Sequence, residues 1–257
     1  MKIAYWYKKH KAIPLVDAAL TALRAAKVDH YFFEGKVEEG TEVILAIGGD
    51  GTLLTLLHEM DLSPLPVLAI NGGTLGFLSQ EYASLDSLVA RLKEGDYSVT
   101  DYPLLAVRDE DGVRYALNDV VLSRGTAAST VDVLVEVDHQ HVYAYRGDGV
   151  IATTPLGSTG YSLSAGGSVL SPALNAIGIT PLSAHTLCAR PLVVEPTATV
   201  TLTATSLRDG VCLAVDGLNV AQRPQIKLEV TLSDRRARLV TFENLFYDKL
   251  TRKLATW

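Results

Sequence analysis

An apolar stretch, Val43-Ile44-Leu45-Ala46-Ile47, runs straight into Gly48-Gly49-Asp50-Gly51-Thr52 and then into Leu53–Met60. The first piece is rich in β-branched residues and apolar on both faces, which predicts a buried strand of a parallel sheet. The last piece reads as a helix. Three glycines and an aspartate therefore sit at a strand-to-helix turn. Glycine lets the backbone turn sharply and lets a ligand approach bare N–H groups. The helix N-terminus that follows favours negative charge, so the turn is a candidate phosphate cradle. Asp50 would repel phosphate at a simple anion site and makes better sense as a base, or as a magnesium contact, beside the phosphate. The competing reading is a glycine-rich turn in which Asp50 caps the helix. The motif is neither a Walker A loop nor the dinucleotide fingerprint Gly-x-Gly-x-x-Gly.

The rest of the first hundred residues fits that strand. Strand signals at Ile3–Tyr7, Val28–Phe33, Val43–Ile47 and Val67–Ile70 alternate with helical spacing at Pro14–Lys27, Leu53–Met60 and Leu85–Leu92. This alternation predicts a doubly wound, Rossmann-like α/β domain over 1–100. Ligands of such sheets sit outside the carboxyl ends of the strands. Both glycine-rich turns, after Ile47 and after Ile70, lie at that edge. From about Ser98 the texture changes to short strand-like runs (Leu104–Val107, Tyr115–Leu122, Val131–Val137, Val142–Arg146, Val150–Thr153, Thr197–Ala204, Val211–Val215, Ile226–Leu232) separated by turn signals. Residues 101–240 are thus expected to form a β-rich, sandwich-like second domain. Leu245–Leu254 reads as helix, and 241–257 is expected to pack back on the first domain.

Charge and cysteine usage narrow the class. A net charge of −6 argues against general nucleic-acid binding, and Lys8-Lys9-His10-Lys11 reads as a solvated loop. No apolar run reaches bilayer-spanning length, and the start of the chain lacks a signal peptide's apolar core. The two cysteines, Cys188 and Cys212, fit a reducing cytoplasm and are expected to be small core residues. They make no metal site, which needs more ligands. The expectation is a cytoplasmic protein with no nucleic-acid or membrane partner.

The densest polar, glycine-rich block runs from Gly147 to Gly167: Gly147-Asp148-Gly149, then Thr153-Thr154-Pro155-Leu156-Gly157-Ser158-Thr159-Gly160-Tyr161-Ser162-Leu163-Ser164-Ala165-Gly166-Gly167. Its hydroxyls suit sugar and base edges, and Tyr161 can pack on a flat ring. The alternative is a loop that merely turns. With this block in view, the sequence resembles the ATP-dependent NAD kinase family. The resemblance rests on Gly48–Thr52, Asn71–Leu78, Asn118-Asp119 and Gly147–Gly167, with a weaker fifth block at His185–Val193. Asp119 stands where glutamate is commoner in the family, and Leu156 and Gly160 replace a usual threonine and alanine.

The resemblance implies transfer of the terminal phosphoryl group of ATP, or of polyphosphate, to the 2′-hydroxyl of the adenosine ribose of NAD. Its fold is an α/β domain and a β-sandwich-like domain with the site in the cleft between. Asp50 maps to the general base. Gly48, Gly49, Gly51 and Thr52 would present backbone N–H groups to the phosphates, and Mg²⁺ would bridge phosphate oxygens without a protein-only cage. Asn118 and Asp119 match the ribose-binding pair, or else form an ordinary turn. Thr159, Gly160, Tyr161 and Ser164 match positions near the adenine. Asp148 matches a carboxylate on the nicotinamide side that acts across a subunit boundary, or else caps a turn. Phe77 would wall the NAD site or belong to the core. His185 and Arg190 stand evenly between site and structural roles. Homodimers or homotetramers are usual in the family. The Gly-Gly-Asp-Gly-Thr turn is shared with lipid kinases, so a lipid kinase and a non-catalytic NAD/NADP sensor are the alternatives.

Overall fold

The computed structural model describes residues 1–9, 13–60, 64–71, 76–126, 129–243 and 246–255. The chain divides into two compact units, Met1–Asp101 with Ala237–Trp257, and Tyr102–Arg236. The first unit holds β1 (Lys2–Trp6), α1 (Ile13–Ala25), β2 (Asp29–Phe32), β3 (Thr41–Ile47), α2 (Asp50–Glu59), β4 (Val67–Ile70) and α3 (Leu85–Glu94). The strands pair in parallel in the order β2-β1-β3-β4.

The parallel sheet is apolar on both faces because helices need both. Val43, Leu45 and Ile47 of β3 join Leu68 and Ile70 of β4 in one cluster with Ala19 and Leu23 of α1 and Leu88 and Leu92 of α3. Ile44 and Ala46 point the other way by strand alternation and are equally buried. Leu53, Leu54, Leu56 and Leu57 form the buried side of α2. Helix α3 is bounded by a Ser84–Ser87 capping box and by Gly95 in the left-handed region.

The second unit begins within β5 (Ser98–Asp109) and holds β6 (Gly112–Ala116), β7 (Asp119–Arg124), β8 (Val131–Val137), β9 (Gln140–Gly147), β10 (Gly149–Thr153), α4 (Tyr161–Ser164), β11 (Ile177–Leu182), β12 (Leu192–Val194), β13 (Val200–Thr205), β14 (Val211–Val215) and β15 (Leu218–Arg223). Strand β16 (Gln225–Thr241) supplies residues to both units, and α5 (Phe246–Leu254) belongs to the first. One antiparallel sheet runs β12-β11-β10-β7-β14-β15, and β16, β13, β8 and β9 pair antiparallel in another. Their inner faces share one core, in which Val120, Leu122, Val150 and Leu213 meet Val133, Val135, Leu202 and Leu228. This is a sandwich-like arrangement.

Three readings need correction. Tyr115–Leu122 is not one strand: it breaks into β6 and β7 at Leu117-Asn118, where the backbone N–H groups turn to a carboxylate instead of a neighbouring strand. Strands β11, β12 and β15 carry no strand reading above. Cys188 is exposed and Cys212 only partly buried, so the expected core role fails for Cys188. The strand and helix readings around Ile3, Pro14, Val43, Val67 and Leu85 agree with the structure to within a few residues at their ends. Leu245, the first residue of the expected last helix, lies outside the described residues, as do Gly72–Leu75 of the second glycine-rich turn. Among the described residues no helix is long and apolar enough to cross a membrane.

Leu202 is fully buried in the core of the second unit. Leu202→Ala is expected to lower unfolding free energy by about 2–5 kcal/mol, read by chemical denaturation. A loss below about 1 kcal/mol would mean that this core repacks freely.

Candidate active site

Asp50 opens α2, and Gly49 is the residue that caps it, with no side-chain cap hydrogen bond. The helix-capping reading of Asp50 therefore fails. Its half-buried carboxylate turns instead to the segment after β4. Oδ2 accepts from the Phe77 N–H at 2.8 Å, and Oδ1 accepts from the Leu78 and Ser79 N–H groups at 3.3 and 3.2 Å. Gly76 makes this approach possible. A Cβ there would land on Asp50 Oδ1 and Ser79 Oγ, and lie 2.9 Å from Asp50 Cγ. The two glycine-rich turns at the strand ends are thus tied together through one side chain.

The turn offers fewer phosphate donors than expected. The Gly48 N–H donates to the Ile70 carbonyl at 2.9 Å and the Thr52 N–H to the Gly49 carbonyl at 2.7 Å. Both groups are committed inside the turn, so the expectation of four N–H donors narrows to Gly49 and Gly51. Gly51 is exposed and lies in the first turn of α2, where N–H groups lack intrahelical partners.

In the second unit Asn118 and Asp119 sit at the break between β6 and β7. The carboxylate of Asp216 organises that break. Its Oδ2 accepts from the Leu117 N–H at 2.8 Å, and its Oδ1 from the Asn118 and Asp119 N–H groups at 2.7 and 3.2 Å. In return the Asp216 N–H donates to the Asp119 carbonyl at 2.9 Å. The Asn118 carbonyl accepts from the Thr154 N–H and the Thr153 hydroxyl, each at 2.9 Å. A Cβ on Gly157 would meet the Asn118 backbone, so only glycine lets the 157–160 turn close over it. Gly160 lies beside both side chains: a Cβ there would stand 3.8 Å from Asn118 Nδ2 and from Asp119 Oδ2.

This turn has two unusual electrostatic features. Asn118 Oδ1 is buried and has no hydrogen-bond partner among the described residues. A buried acceptor without a donor is costly, and a ligand hydroxyl or N–H would relieve it. Asp119 is buried, and burial raises its carboxyl pKa to about 7, with the neighbouring Asp216 charge adding to the rise. At neutral pH Asp119 thus switches between a hydrogen-bond donor and an acceptor-only carboxylate.

The remaining expected residues distribute as follows. Tyr161, at the start of α4, is half exposed, and Ser164 is exposed. Thr159 is buried and its hydroxyl donates to the Leu156 carbonyl at 3.3 Å. Asp148 joins β9 to β10 and pairs with Arg124 at 3.1 Å, which replaces the turn-capping reading. Phe77 is half buried, with Lys253 Nζ 4.4 Å from its ring centroid and the Phe246 ring at 6.2 Å. His185 and Arg190 are exposed; the His185 N–H donates to the Arg146 carbonyl. Among the described residues no cluster of three or more His, Cys, Asp or Glu could hold a metal ion.

The family models of the ATP-NAD kinase N-terminal and C-terminal domains match residues 8–97 and 117–242. The NAD kinase of Geotalea daltonii is 34% identical over 230 residues, covering 86% of this chain and 80% of that protein. The chain belongs to the NAD kinase family. The NAD kinase of Corynebacterium efficiens is 38% identical over 240 residues, 89% of this chain and 74% of that protein. Among solved structures, an NAD kinase from Archaeoglobus fulgidus in complex with ATP superposes with a TM-score of 0.83 at 27% identity, covering 100% of both chains.

Two residues that hold these turns escaped the sequence. Asp216 carries no local sign of what it holds beyond the Asp-Gly dipeptide it forms with Gly217. Lys249 looked like any other cation of α5, although it is buried and donates to the Phe77 and Ser79 carbonyls. Neither has a local signal of its role, because both act on backbone far away in sequence.

The Asp119 shift has a signed consequence. Its folded pKa, about 7, lies above the unfolded value of 3.8. The fold therefore prefers the protonated acid; that stability is fully present below pH 3.8 and is lost as pH rises through 7. Relative to Asp119→Asn, the parent should lose roughly 1–3 kcal/mol of stability between pH 5 and pH 8, read by denaturation across pH. Parallel pH profiles of the two proteins would contradict the shift.

Proposed function

We propose that this chain transfers the terminal phosphoryl group of ATP to the 2′-hydroxyl of the adenosine ribose of NAD, giving NADP. The observation that carries the reading is Asp50: in a chain of the NAD kinase family, the one carboxylate of the strand-to-helix turn is held on three backbone N–H groups instead of capping its helix. A pure binder gains little from a fixed carboxylate beside phosphate. Neither the lipid kinase nor the non-catalytic sensor draws support from the relatives named above.

In this reading Asp50 takes the proton of the ribose hydroxyl as its oxygen bonds to the γ-phosphorus. The bond from that phosphorus to the β,γ-bridging oxygen breaks, and ADP leaves with the electron pair. General-base help of this kind contributes roughly 10²–10⁴-fold. Alignment and charge neutralisation supply most of the rest in phosphoryl transfer. Gly49 and Gly51 offer N–H groups to the phosphates. The orphaned Asn118 Oδ1 accepts a hydrogen bond from one ribose hydroxyl, and Asp119 donates or accepts at the neighbouring hydroxyl according to its protonation. Together they select which hydroxyl is presented. Tyr161, Gly160 and Ser164 are assigned to the adenine, Phe77 to a wall of the NAD site, and Asp148 to the nicotinamide side. His185 and Arg190 are assigned to its outer rim. The protein is proposed to work as a homodimer or homotetramer in the cytoplasm.

In this reading a divalent cation such as Mg²⁺ would be held mainly through phosphate oxygens, which suits its preference for few protein ligands. When bound, it neutralises phosphate charge. Holding the phosphates and the ribose falls to the chain's own N–H groups and side chains.

Purified protein given NAD, ATP and Mg²⁺ is expected to form NADP, and a panel of triphosphates, polyphosphate and NADH ranks donors and acceptors. Asp50→Asn should bind NAD at near-normal affinity yet turn over at least about a hundred-fold more slowly. Near-normal turnover by that variant would remove Asp50 from the base role.

A further inference from the structure

The segment that grips Asp50 is itself gripped from its other side. Lys249 lies in α5 and is only 5% exposed. Its ammonium donates to the Ser79 carbonyl at 2.7 Å and to the Phe77 carbonyl at 3.3 Å. The Phe77 carbonyl belongs to the same peptide unit as the Leu78 N–H, which donates to Asp50 Oδ1. The Ser79 carbonyl shares its peptide unit with the Gln80 N–H, which donates to the Ala69 carbonyl of β4 at 2.8 Å. One buried cation thus sits at the carbonyl end of two peptide units. The N–H end of one meets the carboxylate assigned to the chemistry; that of the other meets the sheet. A cation on a carbonyl polarises the peptide and strengthens its N–H as a donor.

Other α5 side chains reinforce the same placement. Lys253 and Phe246 pack on the Phe77 ring, and Arg252 pairs with Glu81 at 2.5 Å. Burial pushes the Lys249 ammonium down from its ordinary value, and the charges of Asp50 and Glu81 act against that. Among the described residues its hydrogen-bond partners are backbone carbonyls, and burying a charge on them costs desolvation that asks for a reason.

We propose that Lys249 is a positioning residue for phosphoryl transfer: through the Phe77–Ser79 backbone it fixes the Asp50 carboxylate in the orientation that the reaction uses. The inference rests on the assignment of Asp50 as the base. It predicts that loss of Lys249 slows the chemical step while leaving substrate binding nearly intact, because Lys249 reaches the reaction only through Asp50.

The test uses the full chain with NAD, ATP and Mg²⁺. Lys249→Met and Lys249→Gln, the latter keeping a shorter N–H donor, are compared with Lys249→Arg and the parent, each also in an Asp50→Asn background. Lys249→Met is expected to lose at least about tenfold in kcat, with KM for NAD and ATP within about twofold. Lys249→Gln should fall between it and the parent, and Lys249→Arg should recover at least half of the loss on a logarithmic scale. In the Asp50→Asn background the Lys249→Met effect should shrink to less than about twofold. A kcat within twofold of the parent for Met and Gln, with Asp50→Asn strongly impaired, would overturn the positioning role and leave the base assignment standing. An active Asp50→Asn protein would overturn the base assignment itself. Equal losses from Lys249→Met in both backgrounds would show that Lys249 acts other than through Asp50.

Discussion

A carboxylate has two acceptor oxygens and no proton to give, so three consecutive backbone N–H groups aimed at one point complement it well. This protein uses that arrangement twice. Asp50 takes the amides of Phe77, Leu78 and Ser79, and Asp216 takes those of Leu117, Asn118 and Asp119. In each case one oxygen accepts two donors and the other accepts one. In each case the aspartate and the segment it holds are far apart in sequence. Without the carboxylate, three donors would converge with no acceptor, and the segment would relax into another path.

The two aspartates differ in what they do with the grip. Asp50 is the gripping side chain and also the group with proposed chemistry, so its position and the shape of the turn around it are one problem. Asp216 has no proposed contact with a substrate. It breaks what would otherwise run as a continuous strand from Tyr115 to Leu122, and so leaves Asn118 out of the ladder while Asp119, at the start of β7, pairs with Thr153. Its own charge helps to raise the Asp119 pKa, so the device that shapes the turn also tunes it. Gly76 and Gly157 are small because side-chain and backbone oxygens already occupy the space a Cβ would need.

Much of the first unit could be read from the chain because its signals are local. Apolar β-branched runs, helical spacing and the glycines at strand ends each stand within a dozen residues of one another. The same holds for the candidate site turns at Gly48–Thr52 and Gly157–Tyr161. What escaped was whatever depends on distant partners. The break at Leu117-Asn118 is invisible without Asp216, about a hundred residues on. Strand β15 was missed although its hairpin signal was present: Asp216 and Gly217 both adopt positive φ, 49° and 77°, as a two-residue Asp-Gly turn does. The internal use of the Gly48 and Thr52 N–H groups, and the burial of Lys249 against carbonyls, follow from tertiary packing that no spacing rule encodes.

Amide hydrogen exchange tests the shared device most directly. Compared with the parent, Asp216→Ala should exchange faster, by about tenfold or more, at Leu117, Asn118 and Asp119, and Asp50→Ala likewise at Phe77, Leu78 and Ser79. Amides in the core strands β3 and β13 should keep their protection in both variants. Unchanged protection at those six amides would mean that the carboxylates do not hold the turns, and the account of how this site is built would be wrong.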